Sequence, residues 1–126
     1  MMKTKVETSM APGAIGPYSQ GIKVGDFYYF SGQLPINPKT GVMPEGIVEQ
    51  TTQSLLNIKG LLESQGLGFE NVVKTTVFLD SMDDFAAMND VYATFFSAPY
   101  PARSAVEVAK LPKAALVEVE VIAYAG

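Results

Sequence analysis

The chain has 126 residues, of which 48% are hydrophobic and 17% are charged, and its formal net charge at pH 7 is −4. This composition predicts one globular domain spanning residues 1–126, large enough to bury a core of its own. The acidic balance disfavours electrostatic binding of nucleic acid, and the apolar runs are too short for the roughly 20 residues of a membrane-spanning helix.

The residue types that are missing narrow the chemistry further. Cysteine and histidine are both absent, so the sequence offers no disulfide, no thiol nucleophile, no Ser-His pair and no conventional zinc site. Any chemistry must use carboxylates, hydroxyls, lysines, backbone amides and one arginine, and we predict neither a metal nor a cofactor. Because no export signal is evident, the lack of disulfides predicts a cytoplasmic protein.

The first predicted elements follow a loop rich in glycine and proline, residues 11–21. A short strand is predicted at 21–24, a hairpin turn at Gly25-Asp26 and a longer strand at 27–33. Aromatic residues occupy successive positions of the longer strand, which predicts that it is buried on both faces.

Three residues in this part of the chain have two interpretations. Tyr18 is either a packing residue with a hydrogen-bonded hydroxyl or part of a site. Ser31-Gly32 is either a strand end or bulge or part of a site. The pattern alone favours the structural interpretation for all three.

A helix and a strand come next. Helical spacing of apolar residues predicts a helix over 47–65 that ends at Gly66, and the β-branched stretch 72–79 predicts a strand. The strand–helix–strand order indicates a parallel crossover. The helix residues assigned to the core are Val48, Thr51, Leu55, Ile58 and Leu62.

A second helix is predicted to begin at Ser81. Asp83 and Asp84 fall in its first turn and complement the helix dipole, which explains this acidic cluster without a metal. Asn89 lies beside the apolar stripe, where its ordinary interpretation is a surface position or a cap-like hydrogen bond. The stripe itself is formed by Phe85, Met88, Tyr92 and Phe95.

Arg103 is the only arginine in the chain. It lies in a strand-like stretch in which alternation places Arg103, Ala105 and Glu107 on one face. A guanidinium binds a carboxylate or phosphate through two parallel hydrogen bonds, which makes Arg103 a candidate binding residue. The competing interpretation, slightly favoured by the pattern alone, is an ion pair with Glu107 or an exposed charge.

The last predicted strand, residues 116–124, alternates cleanly. Glu118, Glu120 and Ile122 share one face, and small apolar residues share the other. The favoured interpretation is a solvated acidic face. In the functional interpretation, one of the two carboxylates lies near Arg103, which holds it ionised and available as a base.

The predicted layers bear on assembly. Two helices can cover one face of a mixed sheet of about six strands, which leaves the other face without a cover. Since strands such as 27–33 are apolar on both faces, a partner subunit is the simplest cover. We therefore expect a homo-oligomer with sites at or near the interface.

Five stretches taken together carry a family resemblance: 14–20, 31–33, 73–79, 84–89 and 101–109. In this order and spacing they resemble the Rid family of reactive intermediate deaminases, also called the YjgF/UK114 family, and its RidA branch. The resemblance implies a chorismate-mutase-like α+β subunit, assembled as a homotrimer with clefts between neighbouring subunits. It also implies cofactor-independent hydrolysis of 2-imino acids, released by PLP enzymes, to 2-oxo acids and ammonia.

The resemblance also assigns roles to residues. It places the family's carboxylate-binding arginine at Arg103 and its water-activating glutamate at Glu118. Ala105 stands where several relatives carry a cysteine, a departure that bears on thiol chemistry rather than on deamination. The positions that line the family's cleft are occupied by Tyr18, Ser31, the Gly32 backbone and Asn89.

Two other functions compete with deamination. The first is a trimeric binding protein that senses small carboxylate metabolites without chemistry. The second is RNA cleavage, an activity attached to some relatives. The acidic balance, the single arginine and the lack of histidine as a general acid or base weigh against RNA cleavage.

Overall fold

The computed structural model describes residues 2–126, which form one six-stranded mixed sheet with two helices on one face. The predicted α+β class is confirmed. Neither helix of residues 2–126 has the length and apolarity needed to cross a bilayer. The strands are β1 (Thr4–Val6), β2 (Gly21–Val24), β3 (Phe27–Gln33), β4 (Val72–Leu79), β5 (Ala102–Glu107) and β6 (Val117–Tyr124), and the helices are α1 (Ile47–Ser64) and α2 (Phe85–Tyr92).

The element boundaries follow the local sequence signals. The hairpin of β2 and β3 turns at Gly25-Asp26 as predicted, and α1 ends where Gly66 takes a left-handed φ of 73°. The second helix begins with a 3₁₀ turn over Met82–Asp84, before α2 itself. Ser81 caps that turn, because its hydroxyl accepts a hydrogen bond from the Asp83 amide at 3.1 Å.

The sheet order is β1-β2-β3-β6-β4-β5. All neighbours are antiparallel except β4 and β5, which form a parallel pair connected through α2. β3 and β4 also run in the same direction, as the predicted crossover through α1 requires, but β6 lies between them. The final strand thus occupies a central position, which local patterns do not predict.

The core lies between the helices and one sheet face. Alternate residues of β6 from Val117 to Ala123 are at most 2% exposed, whereas Glu118 and Glu120 point to the other face. The prediction that Val48 lies in the core is wrong, because Val48 is 48% exposed and Ile47 packs against the core instead. The residues of α1 that fill the core are Thr51, Leu55, Ile58, Leu61 and Leu62.

The sheet face away from the helices is open and carries exposed aromatic side chains. Tyr28 and Phe30 of β3 are buried under the helices, but Phe27 and Tyr29 are 42% and 47% exposed on the open face. The prediction that β3 is buried on both faces is therefore wrong for the single chain. Phe27 instead packs against Tyr124 of β6, with ring centroids 4.9 Å apart.

Gln20 holds the loop before β2 in place. Its side chain is 4% exposed, and its Oε1 accepts a hydrogen bond from the Thr8 amide at 2.7 Å. Its Nε2 donates to the carbonyls of Thr8, Ala11 and Pro12 at 3.0, 3.2 and 2.8 Å. One buried amide thus satisfies four backbone groups that no strand pairs.

We expect Gln20→Ala to lower the free energy of unfolding by about 2–4 kcal/mol, because it leaves several partly buried backbone groups without partners. Urea unfolding at fixed protein concentration measures the change. The matched control is Gln53→Ala, since the Gln53 amide makes one hydrogen bond, to Asn57 Oδ1. Equal unfolding midpoints for the two variants would contradict this role of Gln20.

Candidate active site

Arg103 lies in a cluster between β5 and α2. It pairs in register with Thr75, which is fully buried under the helices, and Arg103 therefore points to the helix face of the sheet. Its Nη1 donates a hydrogen bond to Asn89 Oδ1 at 2.7 Å. The guanidinium carbon lies 4.7 Å from the ring centroid of Tyr92 and 5.5 Å from that of Phe85. Two aromatic rings and one amide thus surround the cation.

These contacts decide between the interpretations of Arg103. The ion pair with Glu107 is wrong, because Glu107 Oε1 accepts a hydrogen bond from the Met82 amide at 2.8 Å. Among residues 2–126, no carboxylate lies within ion-pairing distance of Arg103. Asn89 is likewise neither a surface residue nor a cap, since it is half-buried and bonds the guanidinium.

A cleft of about 440 Å³ borders the Arg103 cluster. A guanidinium has five N–H donors, and the bond to Asn89 leaves others for a ligand. The cleft can therefore receive a small anion, and a carboxylate matches the donor fork. The cleft is lined by Asn89, Tyr92, Ala93, Tyr100, Pro101 and Arg103.

Glu118 lies on the open face of the sheet. Its neighbours on β6, Val117 and Val119, face the helices, so alternation directs Glu118 the other way. Burial raises the pKa of the half-buried Glu118 carboxyl above its usual value, and the charge of Glu120 raises it further. A carboxylate with a raised pKa is a stronger proton acceptor than an exposed one.

Gly32 provides the space for the Glu118 carboxylate. The pairing of β3 with β6 shifts between Phe30 and Gln33, so Ser31 and Gly32 form the predicted irregularity. A Cβ placed on Gly32 would overlap Glu118 Oε2 and lie 2.9 Å from its Cδ. The carboxylate therefore rests directly against the Gly32 backbone.

We expect the methyl group of Gly32→Ala to displace the Glu118 carboxylate and to lower kcat/KM about tenfold for a reaction in which Glu118 is the base, because small displacements of a reacting group are costly. Gly13→Ala is the matched control, because a Cβ there has nothing within 4 Å. Steady-state kinetics provide the comparison. A Gly32 variant as active as the Gly13 variant would contradict the proposed packing role.

Tyr18 and Ser31 lie on the same side of the molecule as Gly32. Tyr18 is 54% exposed, so the prediction that it packs with a bonded hydroxyl is wrong, and with Gly32 it borders a cleft of about 620 Å³. Ser31 Oγ donates to the Ser19 carbonyl at 2.6 Å, and the Ser31 amide donates to the Gln20 carbonyl at 2.9 Å. Ser31 therefore ties the Tyr18 loop to β3.

The structure divides the predicted site residues into two groups. Arg103 and Asn89 lie on the helix face, whereas Glu118 lies on the open face with Gly32, near Ser31 and Tyr18. The prediction that a β6 carboxylate lies near Arg103 and is held ionised by it is wrong within one chain. Alternation fixes the faces within each strand, but it does not relate the faces of two strands until their register is known.

Sequence reasoning missed two residues of the Arg103 cluster. Tyr92 belongs to the predicted apolar stripe of the second helix and Thr75 to the predicted strand 72–79, and both are buried. Their hydroxyls lie 2.8 Å apart, and the Tyr92 ring lies beside the guanidinium. The available signal was a tyrosine in place of an apolar residue on a buried stripe, three positions after Asn89.

The fold and its two polar clusters define the class of protein: a small α+β protein whose clefts are large enough for small molecules. The family model described as Endoribonuclease L-PSP matches residues 8–125, so the chain belongs to this family, which includes the Rid and YjgF/UK114 proteins. The family resemblance found in the sequence is confirmed.

Individual relatives match over nearly the whole chain. A RutC family protein of Pyrococcus horikoshii is 53% identical over 98% of each chain. The 2-iminobutanoate/2-iminopropanoate deaminase of Escherichia coli K12 is 48% identical over 97% of this chain and 98% of its own. The crystal structure of E. coli TdcF with bound serine has a TM-score of 0.94 at 44% identity, covering 98% of this chain and 99% of that one.

Proposed function

We propose that the chain is a 2-iminobutanoate/2-iminopropanoate deaminase, a hydrolase that converts reactive imines to 2-oxo acids and ammonia. The observation that carries the proposal is Arg103, whose guanidinium lines a small-molecule cleft and has no carboxylate partner among residues 2–126. Such a group recognises a substrate carboxylate. The imine as substrate is inferred from the names of the deaminases that match the chain at 47–48% identity. The cytoplasmic location stays a prediction.

The proposal includes a homotrimer with sites between subunits. Arg103 and Glu118 lie on opposite faces of one sheet, so a site containing both requires two copies. The exposed rings of Phe27, Tyr29 and Tyr124 give the open face the apolar character of an interface. Sedimentation equilibrium tests the assembly, with a mass three times that of the chain as the expected result.

In the proposed mechanism, Arg103 binds the substrate carboxylate through two hydrogen bonds and thereby fixes the imine carbon. Glu118 of the neighbouring copy takes a proton from a water molecule as the water oxygen bonds to that carbon. Glu118 passes that proton to the imine nitrogen, which completes the carbinolamine, and then carries the hydroxyl proton of the carbinolamine to the same nitrogen. The C–N bond breaks as the C=O bond forms, so the 2-oxo acid and ammonia leave and Glu118 is ionised again. The Gly32 backbone, Tyr18 and Ser31 line the Glu118 side and hold the substrate or the water.

The test is the release of ammonia and 2-oxobutanoate when the purified protein is added to a threonine dehydratase reaction with a semicarbazide trap for the imine. We expect wild type to accelerate imine loss and Arg103→Ala to leave the uncatalysed rate. If wild type binds 2-oxobutanoate but does not accelerate imine loss, the deaminase function is refuted. A protein that senses carboxylate metabolites would then be the better interpretation.

A further inference from the structure

We infer that Tyr92, anchored by Thr75, is a positioning residue that sets the orientation of the Arg103 guanidinium. This inference rests on the proposed function of Arg103 as the group that binds the substrate carboxylate. In this arrangement Tyr92 acts through Arg103.

The Tyr92 ring is fixed by its surroundings. It is 5% exposed and stacks on Phe96, with ring centroids 4.4 Å apart and an interplanar angle of 24°. Its hydroxyl lies 2.8 Å from Thr75 Oγ1, and Thr75 is fully buried in β4. A hydrogen bond at one end and a stacked ring along its length leave the phenol one orientation.

The same threonine is the register partner of Arg103. Thr75 of β4 pairs with Arg103 of β5 in the parallel ladder, so the strand that holds the backbone of Arg103 also holds the ring beside its guanidinium. The guanidinium carbon lies 4.7 Å from the Tyr92 centroid, within the range of a cation–π contact. The position of the Arg103 guanidinium relative to its own backbone is thus fixed through one residue of β4, Thr75.

Asn89 completes the arrangement from the same helix. Asn89 and Tyr92 are three residues apart on α2 and therefore lie on one face of it. Asn89 fixes one end of the guanidinium through Nη1, and the Tyr92 ring restrains its plane. Two parallel hydrogen bonds to a carboxylate require a defined plane, so a loose ring lowers affinity.

The inference predicts an effect on binding and not on chemistry. Water activation is assigned to Glu118, which lies on the other sheet face and does not contact Tyr92 in the same chain. Loss of the Thr75–Tyr92 hydrogen bond should therefore raise Kd and KM together and leave kcat unchanged. A role in stability alone would change the unfolding temperature and leave the Kd of the folded protein as it was.

The test uses Thr75→Val/Tyr92→Phe, which removes both hydroxyls and therefore leaves no buried donor or acceptor unpaired. Calorimetric titration with 2-oxobutanoate should give a Kd about threefold to fivefold higher than wild type, within the range of a weakened cation–π contact. KM should rise by the same factor and kcat stay within about twofold. Thr75→Val and Tyr92→Phe each break the same hydrogen bond. The Kd of the double variant should therefore be close to the Kd of either single variant.

Thr51→Val is the matched control, because it removes the hydroxyl of another buried threonine, one that has no hydrogen-bond partner among residues 2–126. An unchanged Kd in the double variant, or a fall in kcat larger than the rise in KM, would overturn the inference. Binding is measured without turnover, so a wild type that binds 2-oxobutanoate but does not hydrolyse imines would refute the deaminase and leave the Tyr92 comparison decisive. A wild type that binds no 2-oxo acid would overturn both.

Discussion

Arg103→Lys should lower kcat/KM for 2-iminobutanoate by about 100-fold, although it keeps the positive charge. Lysine offers a point charge on a flexible stem and cannot supply two parallel donors, and misplacement of a substrate by about 1 Å can cost that much. Lysine also loses the fit to the planar surroundings of Asn89 and Tyr92. The measurement is the rate of imine loss under the semicarbazide trap, with protein in excess of the generating enzyme.

A matched control for this variant is Lys59→Ala, which removes an exposed cation of α1 that borders neither of the two clefts. It should leave kcat/KM within about threefold, as expected for a side chain that does not meet the substrate carboxylate. Activity of Arg103→Lys near that of wild type would show that charge alone is sufficient. The bidentate role of Arg103 would then be refuted.

Glu118→Gln should lower kcat by about 1,000-fold and leave the Kd for 2-oxobutanoate within about twofold, because it removes a general base and keeps the shape of the side chain. Rapid-mixing kinetics and calorimetric titration measure the two quantities. Glu120→Gln is the control, since Glu120 shares the open face but does not rest against Gly32. A larger loss in Glu120→Gln than in Glu118→Gln would show that the other carboxylate is the base.

Glu120→Gln should also change the dependence of kcat/KM on pH. A base must be ionised to act, so kcat/KM rises with pH through the pKa of Glu118 and then levels off. Burial raises that pKa, and the negative charge of Glu120 adds to the effect. Glu120→Gln should therefore move the acid limb of the profile to lower pH. A limb that stays in place or moves to higher pH would contradict the coupling of the two carboxyls.

Local periodicity was sufficient for both helices and for every strand except β1 (Thr4–Val6), which no sequence pattern predicted. The helix predicted over 47–65 is α1 at Ile47–Ser64, and the strand predicted at 72–79 is β4. The alternation in the last strand also separated the buried valines from Glu118 and Glu120 correctly. These features depend on residues close together in sequence, where the 3.6 and 2.0 periods of backbone geometry act directly.

Long-range pairing was beyond those patterns. Nothing in residues 72–124 alone shows that β6 enters the sheet between β3 and β4, and the relative faces of Arg103 and Glu118 depend on that register. The family resemblance makes both residues candidates for one site, but only the sheet shows that one chain keeps them apart. The prediction for Val48 was wrong for a local reason, because Ile47 takes the packing position at the start of α1.

The central place of β6 has a consequence for biosynthesis. β3 and β4 obtain their shared neighbour only from residues 117–124, which follow both strands in the chain, so the middle of the sheet stays open until β6 has left the ribosome. Pairings between residues so distant in sequence give a high contact order and slow folding. Glu118 arrives on the same strand that closes the sheet, and a nascent or truncated chain without that strand lacks both its core and its base.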